Sequence, residues 1–384
     1  MGDGNRGRFQ AIIDENPRAQ AACRRVARVI RGEVPDRVPF IDHYWAEFAE
    51  RYRRERGLPA DTSLEERFDH DLWILDPVMG PWPSEARVIR TEADGYVISR
   101  DEFGLLLRSH ETRQVVPNQL DYRIKERRDL DRFPFEDPAD PSRSAAVEAA
   151  LERTCRRFCP VFKLGGPFSR TWRLRGLSRF LEDIAEDEGF AKEMTARMTD
   201  HLIAVGAATV ERLDWPRYQM HIADDFACTA SPLFSPAAYE RIVLPNLKRM
   251  VDRFHALGFR VSYESEGNVF PMLELLDQSG VDGLAHMEPR AGMTLKRIRE
   301  RFGGRFFVMG NICNTMVLPS NDRRRIAAEV LRVLSAARDG HYLGLSAHSV
   351  GTDISSDSYD YFYGLMTRFG RYPMDLAELE REAR

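Results

Sequence analysis

Short apolar runs recur along the chain, and each one stops at a polar, charged or glycine position. They read Arg37-Val-Pro-Phe-Ile-Asp42, Leu72-Trp-Ile-Leu-Asp76, Val161-Phe-Lys-Leu-Gly165 and Tyr218-Gln-Met-His-Ile-Ala-Asp224. Further on come Phe259-Arg-Val-Ser-Tyr-Glu264, Gly283-Leu-Ala-His-Met-Glu288, Arg305-Phe-Phe-Val-Met-Gly310 and His341-Tyr-Leu-Gly-Leu-Ser-Ala347. Runs of this length predict strands rather than helices. Between most of them lie stretches with helical spacing of apolar residues. These include 178–213, 235–257, which opens on Ser235-Pro236 at a cap-like position, and 321–339. Alternating strands and helices predict a parallel α/β architecture, and eight such units favour a closed (β/α)8 barrel of the TIM type. A doubly wound dinucleotide-binding sheet is not expected, because no G-x-G-x-x-G follows the first run.

Two segments depart from the alternation. Residues 1–35 read as a helical lead-in, with an apolar stripe of Ala22, Val26, Val29 and Ile30 among arginines. Residues 87–112 (RVIRTEADGYVISRDEFGLLLRSHET) alternate with period two around Asp94-Gly95 and again around Phe103-Gly104. Asp-Gly between alternating runs is a hairpin signal, so an antiparallel insertion after the second strand is expected. A proline-punctuated connector, PFEDPADP at 134–141, then leads back to the barrel. No internal repeat or low-complexity stretch interrupts the pattern, and residues 1–384 read as one domain.

Composition narrows the function classes. The 384 residues are 43% hydrophobic and 30% charged, which suits a folded chain and not a disordered one. Lys and Arg total 56 against 60 Asp and Glu, a formal charge of −4, so no bulk basic field would recruit nucleic acid. No window approaches the ~18–20 apolar residues of a membrane span, and the N-terminal stretch carries no apolar run of signal-peptide length. Five cysteines with no C-x-x-C pair fit a reduced, cytoplasmic protein. Cys155 and Cys159 would share a face if the preceding helix ran through them, and they read as buried apolar thiols.

In a barrel of this type chemistry sits where the strands end. The expected strand ends carry Asp42-His43-Tyr44, Asp76, Asp224-Asp225, Glu264-Ser-Glu266-Gly-Asn268, His286-Met-Glu288, Asn311 and His348. Singly, each could be a helix cap or a solvated loop residue. Together they place carboxylates, imidazoles and amides at one mouth. Trp172 and Tyr263 lie in the same parts of the chain and could stack on a planar substrate.

The stretch Asp224-Asp-Phe…Ser235-Pro-Ala-Ala-Tyr-Glu-Arg-Ile-Val-Leu-Pro245-Asn-Leu-Lys-Arg-Met resembles the uroporphyrinogen decarboxylase-like superfamily. So do Glu264-Ser-Glu-Gly-Asn268, Val308-Met-Gly-Asn311 and Leu345-Ser-Ala-His348-Ser, and the likeness extends from about Arg31 to Gly370. The resemblance implies a TIM-type barrel with a funnel-shaped cleft. It also implies either porphyrinogen decarboxylation or methyl exchange with corrinoid proteins. The decarboxylases carry an arginine-bearing M-R-Q-A-G-R loop after the first strand, and here that place reads Phe40-Ile-Asp-His-Tyr-Trp-Ala-Glu47. Asp76 and His348 do match decarboxylase positions, whereas a serine of that group falls at about Asp225. The thiol-methylating branch holds zinc with His-x-Cys-Gly-Asn and a later Cys, and the matching positions here are Glu264, Glu266 and His348. Both thiolates are gone, so zinc is not favoured, although two carboxylates two apart on a strand could still reach one point.

The resemblance therefore points to a methyltransferase (a demethylase toward its donor) that moves a methyl between a small donor or a pterin such as tetrahydrofolate and a corrinoid. The corrinoid would arrive on a partner protein, because this chain has no D-x-H-x-x-G segment. Glu264, Glu266, His348, Asp225 and Asp76 are the expected catalytic residues. Asp42, His43, Tyr44, Trp172, Asp224, Tyr263, Asn268, Glu288 and Asn311 are the expected substrate contacts. A decarboxylase or lyase of a carboxylated substrate and a non-catalytic tetrapyrrole- or corrinoid-binding barrel are the alternatives, and a homodimer is left open. The density of acidic positions, with Arg170, Arg173 and Arg290 the nearest cations by sequence, leads to an expected mouth that is net negative and prefers neutral or cationic substrates.

Overall fold

The predicted runs pair side by side in the computed structural model, which describes residues 7–110 and 117–384. In chain order the strands are β1 (Leu72–Leu75), β2 (Arg87–Thr91), β3 (Tyr96–Arg100), β4 (Leu106–His110) and β5 (Asn118–Asp121), then β6 (Cys159–Gly165). The rest are β7 (Gln219–Ala223), β8 (Arg260–Glu264), β9 (Gly283–Met287), β10 (Phe307–Gly310) and β11 (Tyr342–Leu343). One sheet has the order β1-β6-β7-β8-β9-β10-β11, and its pairs are parallel. It curls with helices on its outer face.

The first predicted run closes the curl without forming a regular strand. Ile41 N–H donates to Gly344 O at 3.0 Å, Gly344 N–H to Pro39 O at 2.8 Å, and Val350 N–H to His43 O at 2.7 Å. On the other side Asp71 N–H donates to Phe40 O at 2.7 Å. Pro39 has no N–H to give, so the ladder is broken into isolated bridges, and residues 38–44 act as the eighth stave. The Asp71 carboxylate, fully buried, reinforces the seam. It accepts from Phe40 N–H at 2.9 Å, Arg25 at 2.5 Å and Arg37 at 2.7 Å. Arg25 belongs to the lead-in, whose helices Arg8–Glu15 and Pro17–Ile30 underlie the barrel.

Alternation along the strands sorts the two faces. Phe162 of β6 points outward, 5.0 Å from the Trp215 ring and 6.0 Å from Phe254. Lys163, His221 and Ser262 pair in register on β6, β7 and β8 and form one inward layer. Gly165, Ala223, Glu264 and Ala285 form the layer above it.

The insertion is larger than the hairpin read from 87–112. Strands β2 to β5 make a separate antiparallel sheet of four, and the last two residues of the predicted span lie outside the described residues. The condition under which Cys155 and Cys159 would share a face is not met. The helix Ser142–Thr154 stops before Cys155, and Cys159 opens β6, so the two do not share a helix face. Both are buried, and burial pushes their thiols well above the ordinary range. No helix among the described residues is long and apolar enough to cross a membrane.

Ser235 caps Pro236–Ile242, accepting from Ala238 N–H. Ser235→Ala should lower the urea midpoint by the equivalent of about 1 kcal/mol, the ordinary value of such a cap. An unchanged midpoint would show that the end of this helix contributes nothing to stability.

Candidate active site

Two layers of polar side chains meet inside the C-terminal end of the barrel. The lower one is buried. Glu264, at the end of β8, has Oε2 2.5 Å from His221 Nε2 and Oε1 3.8 Å from His286 Nε2. His221 reaches it from β7 and His286 from β9. The His43 ring lies parallel to that of His286, with centroids 6.1 Å apart. Burial and the neighbouring His286 push His43 down to about 3. Burial also lowers His221 against the pull of Glu264. Burial alone would raise Glu264, but His286, His221 and Lys163 outweigh it and hold the carboxyl well below its ordinary value.

His286 owes its direction to an irregularity. The register between β9 and β10 slips after Met309, so that Gly310 faces Met287 and His286 has no partner. This bulged residue has φ +56°, a conformation that non-glycine side chains rarely adopt. Ala285 is in register with Glu264, so strict alternation would send His286 outward to the helices. The bulge turns it inward.

The upper layer is more open. His348 Nε2 lies 2.8 Å from Glu266 Oε1, and both side chains are near 40% exposed, at 42% and 39%. Glu266 raises the His348 imidazole above its ordinary value. Glu266 N–H donates to Asp225 Oδ1 at 3.0 Å. The enclosing protein, together with Glu264 and Glu266, pushes Asp225 up to about 6. Glu288 belongs to the same rim. Burial raises it, Arg290 opposes that, and Glu266 and His348 also act on it. Gly267, at φ +82°, makes the turn after Glu266. A Cβ there would lie 2.4 Å from the Cys228 carbonyl oxygen.

Beside both layers lies a cavity of about 400 Å³, lined by Lys163, Arg170, Trp172, Arg173, Asp225 and Glu264, among others. Its cations differ in their partners. Arg173 pairs with Asp101 at 2.5 Å. Among the described residues neither Lys163 nor Arg170 has a carboxylate within ion-pair distance, and the Arg170 Nε is buried without a hydrogen-bond partner. The structure thus adds Lys163 to the cations expected near the mouth, Arg170 and Arg173. Lys163 faces inward by its place on β6, and that alternation was readable in Val161-Phe-Lys-Leu-Gly165.

The sequence-predicted residues thus divide. Glu264, Glu266, His348, Asp225, Glu288, His43 and Trp172 lie at the site. Asp76 is exposed at the end of β1, on the Arg170 side, and acts on that guanidinium. Asn268 turns its side chain to local backbone, donating to Ala230 O and accepting from Phe270 N–H. Five others serve the scaffold in this arrangement. Asp42 is buried and accepts from Ser346 Oγ at 2.5 Å and Tyr359 OH at 2.9 Å, while burial pushes it up to about 7. Asp224 accepts from Ser169 N–H at 2.5 Å and Tyr263 OH at 2.8 Å, tying the start of the helix Pro167–Arg175 to β7. Tyr263 is spent on that bond and on Tyr239. The Tyr44 hydroxyl meets Tyr359 and His70. Asn311 bonds Leu295 N–H, Arg332 and the carbonyls of Met287 and Met293. Their polar atoms are occupied by the protein itself.

Sequence reasoning missed His221, and it placed His286 at a strand end without giving it a role. Gln219, His221 and Ala223 alternate with Met220 and Ile222, a signal for one inward polar face that attention to strand ends overlooked. Nothing in the sequence marks the turn at His286.

The Glu266–His348 contact makes a testable prediction. In Glu266→Gln the His348 titration followed by NMR should move to lower pH, because the neighbouring carboxylate favours the imidazolium. An unmoved midpoint would show that solvent screens the pair. The sign for stability follows. A folded-state value above the unfolded one stabilises below the ordinary imidazole pKa of ~6.5, and the gain is lost as pH rises through the raised value. With both partners this exposed, the gain is small.

The strand order, the closing eighth stave and a polar mouth at the strand C-termini define a (β/α)8-type barrel with a candidate active site. A sequence profile of the family described as "Uroporphyrinogen decarboxylase (URO-D)" matches residues 97–368. The chain belongs to that family. Among solved structures it is similar to a methyltransferase from Methanosarcina mazei, with a TM-score of 0.68 at 16% identity over 91% of this chain and 98% of that one. An endo-β-1,4-mannanase from Thermotoga petrophila is similar at a TM-score of 0.42 and 9% identity, over 87% of this chain and 77% of that one. No curated protein sequence matches it. At 16% identity the likeness to the Methanosarcina mazei structure concerns the fold.

Proposed function

We propose that this chain is a methyltransferase of the URO-D family that takes a methyl group from a small methoxy, methylamine-type or pterin donor and passes it to a corrinoid carried by a partner protein. The observation that carries the reading is the group Glu266, His348 and Asp225 at the mouth of a cavity of small-molecule size. Asp225 at about 6 and His348 above its ordinary value are proton donors matched to neutral pH. When a methyl leaves an ether oxygen or an amine nitrogen, that heteroatom needs a proton, and Asp225 on the cavity wall is within reach of a bound donor. The description of the Methanosarcina mazei structure as a methyltransferase agrees with this.

A corrinoid, when bound, supplies the cobalt that accepts the methyl. A cavity of about 400 Å³ has room for a donor, and a macrocycle on a carrier would sit over the mouth. Trp172 offers a stacking face, and Arg170 and Lys163 offer charge for an anionic portion of the donor, such as the glutamyl tail of tetrahydrofolate. The thiolate zinc set of the thiol-methylating branch does not fit. Its positions hold Glu264, Glu266 and His348, and these divide into two contacts, Glu264 with His221 and Glu266 with His348. The test is anaerobic incubation of cob(I)alamin, or of a carrier protein with its corrinoid in the Co(I) state, with a candidate methyl donor. Appearance of the methyl–cobalt absorbance is the expected result. An unchanged spectrum with carrier present would count against the reading.

One observation favours a second reading, a decarboxylase of a small carboxylated substrate. Lys163 and Arg170 face the cavity without a carboxylate partner among the described residues. Release of CO2 from such a substrate, with cob(I)alamin left unmethylated, would move this reading to first place. Uroporphyrinogen itself should give no coproporphyrin, because the expected arginine loop is replaced by Asp42 and His43, and Asp42 is locked to Ser346 and Tyr359.

A further inference from the structure

His221, Glu264 and His286 each offer one ligand atom within 4.8 Å of the others, and they are the group of three among the described residues that can do so. They come from adjacent strands of the barrel wall. Each histidine is oriented by its other nitrogen. Nδ1 of His286 lies 3.2 Å from the Ala347 carbonyl, which can only accept, so Nδ1 carries the proton and Nε2 turns a lone pair toward Glu264. Nδ1 of His221 lies 2.9 Å from Ser262 Oγ. That hydroxyl is itself held by Met220 O at 3.3 Å and Gln219 at 2.8 Å, while Nε2 of the same ring lies 2.5 Å from Glu264 Oε2, a contact that a shared proton closes when no cation is present. Two imidazole nitrogens and a carboxylate therefore converge, and a cation that displaces the shared proton would satisfy all three.

We infer that His221, Glu264 and His286 form a binding site for one divalent first-row transition-metal ion. The ligand set is two imidazoles and one carboxylate, which suits Fe²⁺, Co²⁺ or Zn²⁺ rather than Mg²⁺ or Ca²⁺. Three protein ligands leave coordination positions open, the arrangement of reactive rather than structural metals. Glu264 also lines the cavity, so those positions can face a bound substrate. Backbone strain at a bulge is an uncommon way to aim a side chain, and here it is spent on the third ligand, at φ +56°. The charges around the site are mixed. Lys163 is in register with His221 and opposes a dication, while Asp225 and Asp42 favour one. The site shares Glu264 with the family's zinc positions but takes His221 and His286 as its other ligands, and leaves Glu266 and His348 to their own contact. Its test reads metal and not turnover, so it stands or fails apart from the proposed methyl transfer.

The experiment is titration of the chelator-stripped full chain with Co²⁺, followed by visible absorption and by elemental analysis after desalting. One Co²⁺ per chain with ligand-field bands of nitrogen–oxygen coordination is expected. His221→Ala and His286→Ala should abolish the bands, and Ser262→Ala, which frees the His221 ring, should weaken binding about 10- to 100-fold. Lys163→Met should tighten it. His348→Ala should leave the stoichiometry at one. Circular dichroism separates loss of metal from loss of fold, and His286→Asn repeats the test where alanine unfolds the chain. Absence of Co²⁺ bands in the wild type, unchanged affinity in folded His221 and His286 variants, or binding lost with His348 instead would each overturn the inference.

Discussion

Asp71→Ala should destabilise the barrel by about 3–5 kcal/mol, the range for removing one partner of a buried ion pair. Asp71 is fully buried and holds Arg25, itself only 8% exposed, at 2.5 Å. It also holds Arg37 at 2.7 Å and the Phe40 amide at 2.9 Å. Loss of the carboxylate leaves a nearly buried guanidinium with Asp36 as its remaining carboxylate partner and an amide without its acceptor. All of these contacts lie on the seam where residues 38–44 meet β1, and among the described residues the Asp71 N–H to Phe40 O hydrogen bond stands there in place of a ladder. The seam is therefore the part of the barrel with the least backbone redundancy. Urea unfolding followed by circular dichroism measures the effect. A loss below about 1 kcal/mol, the value of an exposed pair, would show that water reaches the network. Asp71→Asn, which keeps an acceptor for Phe40, should fall between the two.

Glu266→Gln should lower kcat for methyl transfer by about 10²- to 10⁴-fold while leaving donor binding near the wild-type value, the signature of a lost proton-transfer group. Glu266 contacts His348 and, through its amide, Asp225, so it orients and charges the donor set without lining the cavity wall. The pH profile gives an independent check. In the wild type, turnover should fall as pH rises through the raised His348 value, because the acid form is the one that donates. In Glu266→Gln that limb should shift to lower pH. Equal loss of binding and turnover, with the limb unmoved, would show that Glu266 holds the loop and not the proton. The residue can be changed without disturbing the core, since its side chain is 39% exposed.

Much of this was legible in the chain itself. The eight apolar runs, the helical spacing between them and the Asp-Gly hairpin signal specify a barrel with an inserted antiparallel sheet, because strand and helix periodicities are local properties of sequence. Glu264, Glu266, Asp225, Glu288 and His348 were found because polar residues that follow an apolar run must lie where a strand leaves the wall. Partnership was not legible. Asp42 is bonded to Ser346 and Tyr359, more than 300 residues away, and Asp224 is tied to Tyr263 and to the helix that starts at Pro167. Those contacts make them scaffold residues, and no local pattern distinguishes them from the carboxylates at the mouth. His286 is the clearest case. Its place on β9 predicts an outward side chain, and one extra residue in the pairing with β10 reverses it. The chain alone determined which residues form the barrel wall and where its strands end. Which side chains converge was decided by the tertiary structure, because a bulge depends on the register of a neighbouring strand and a buried hydrogen bond on what the closed barrel brings beside it.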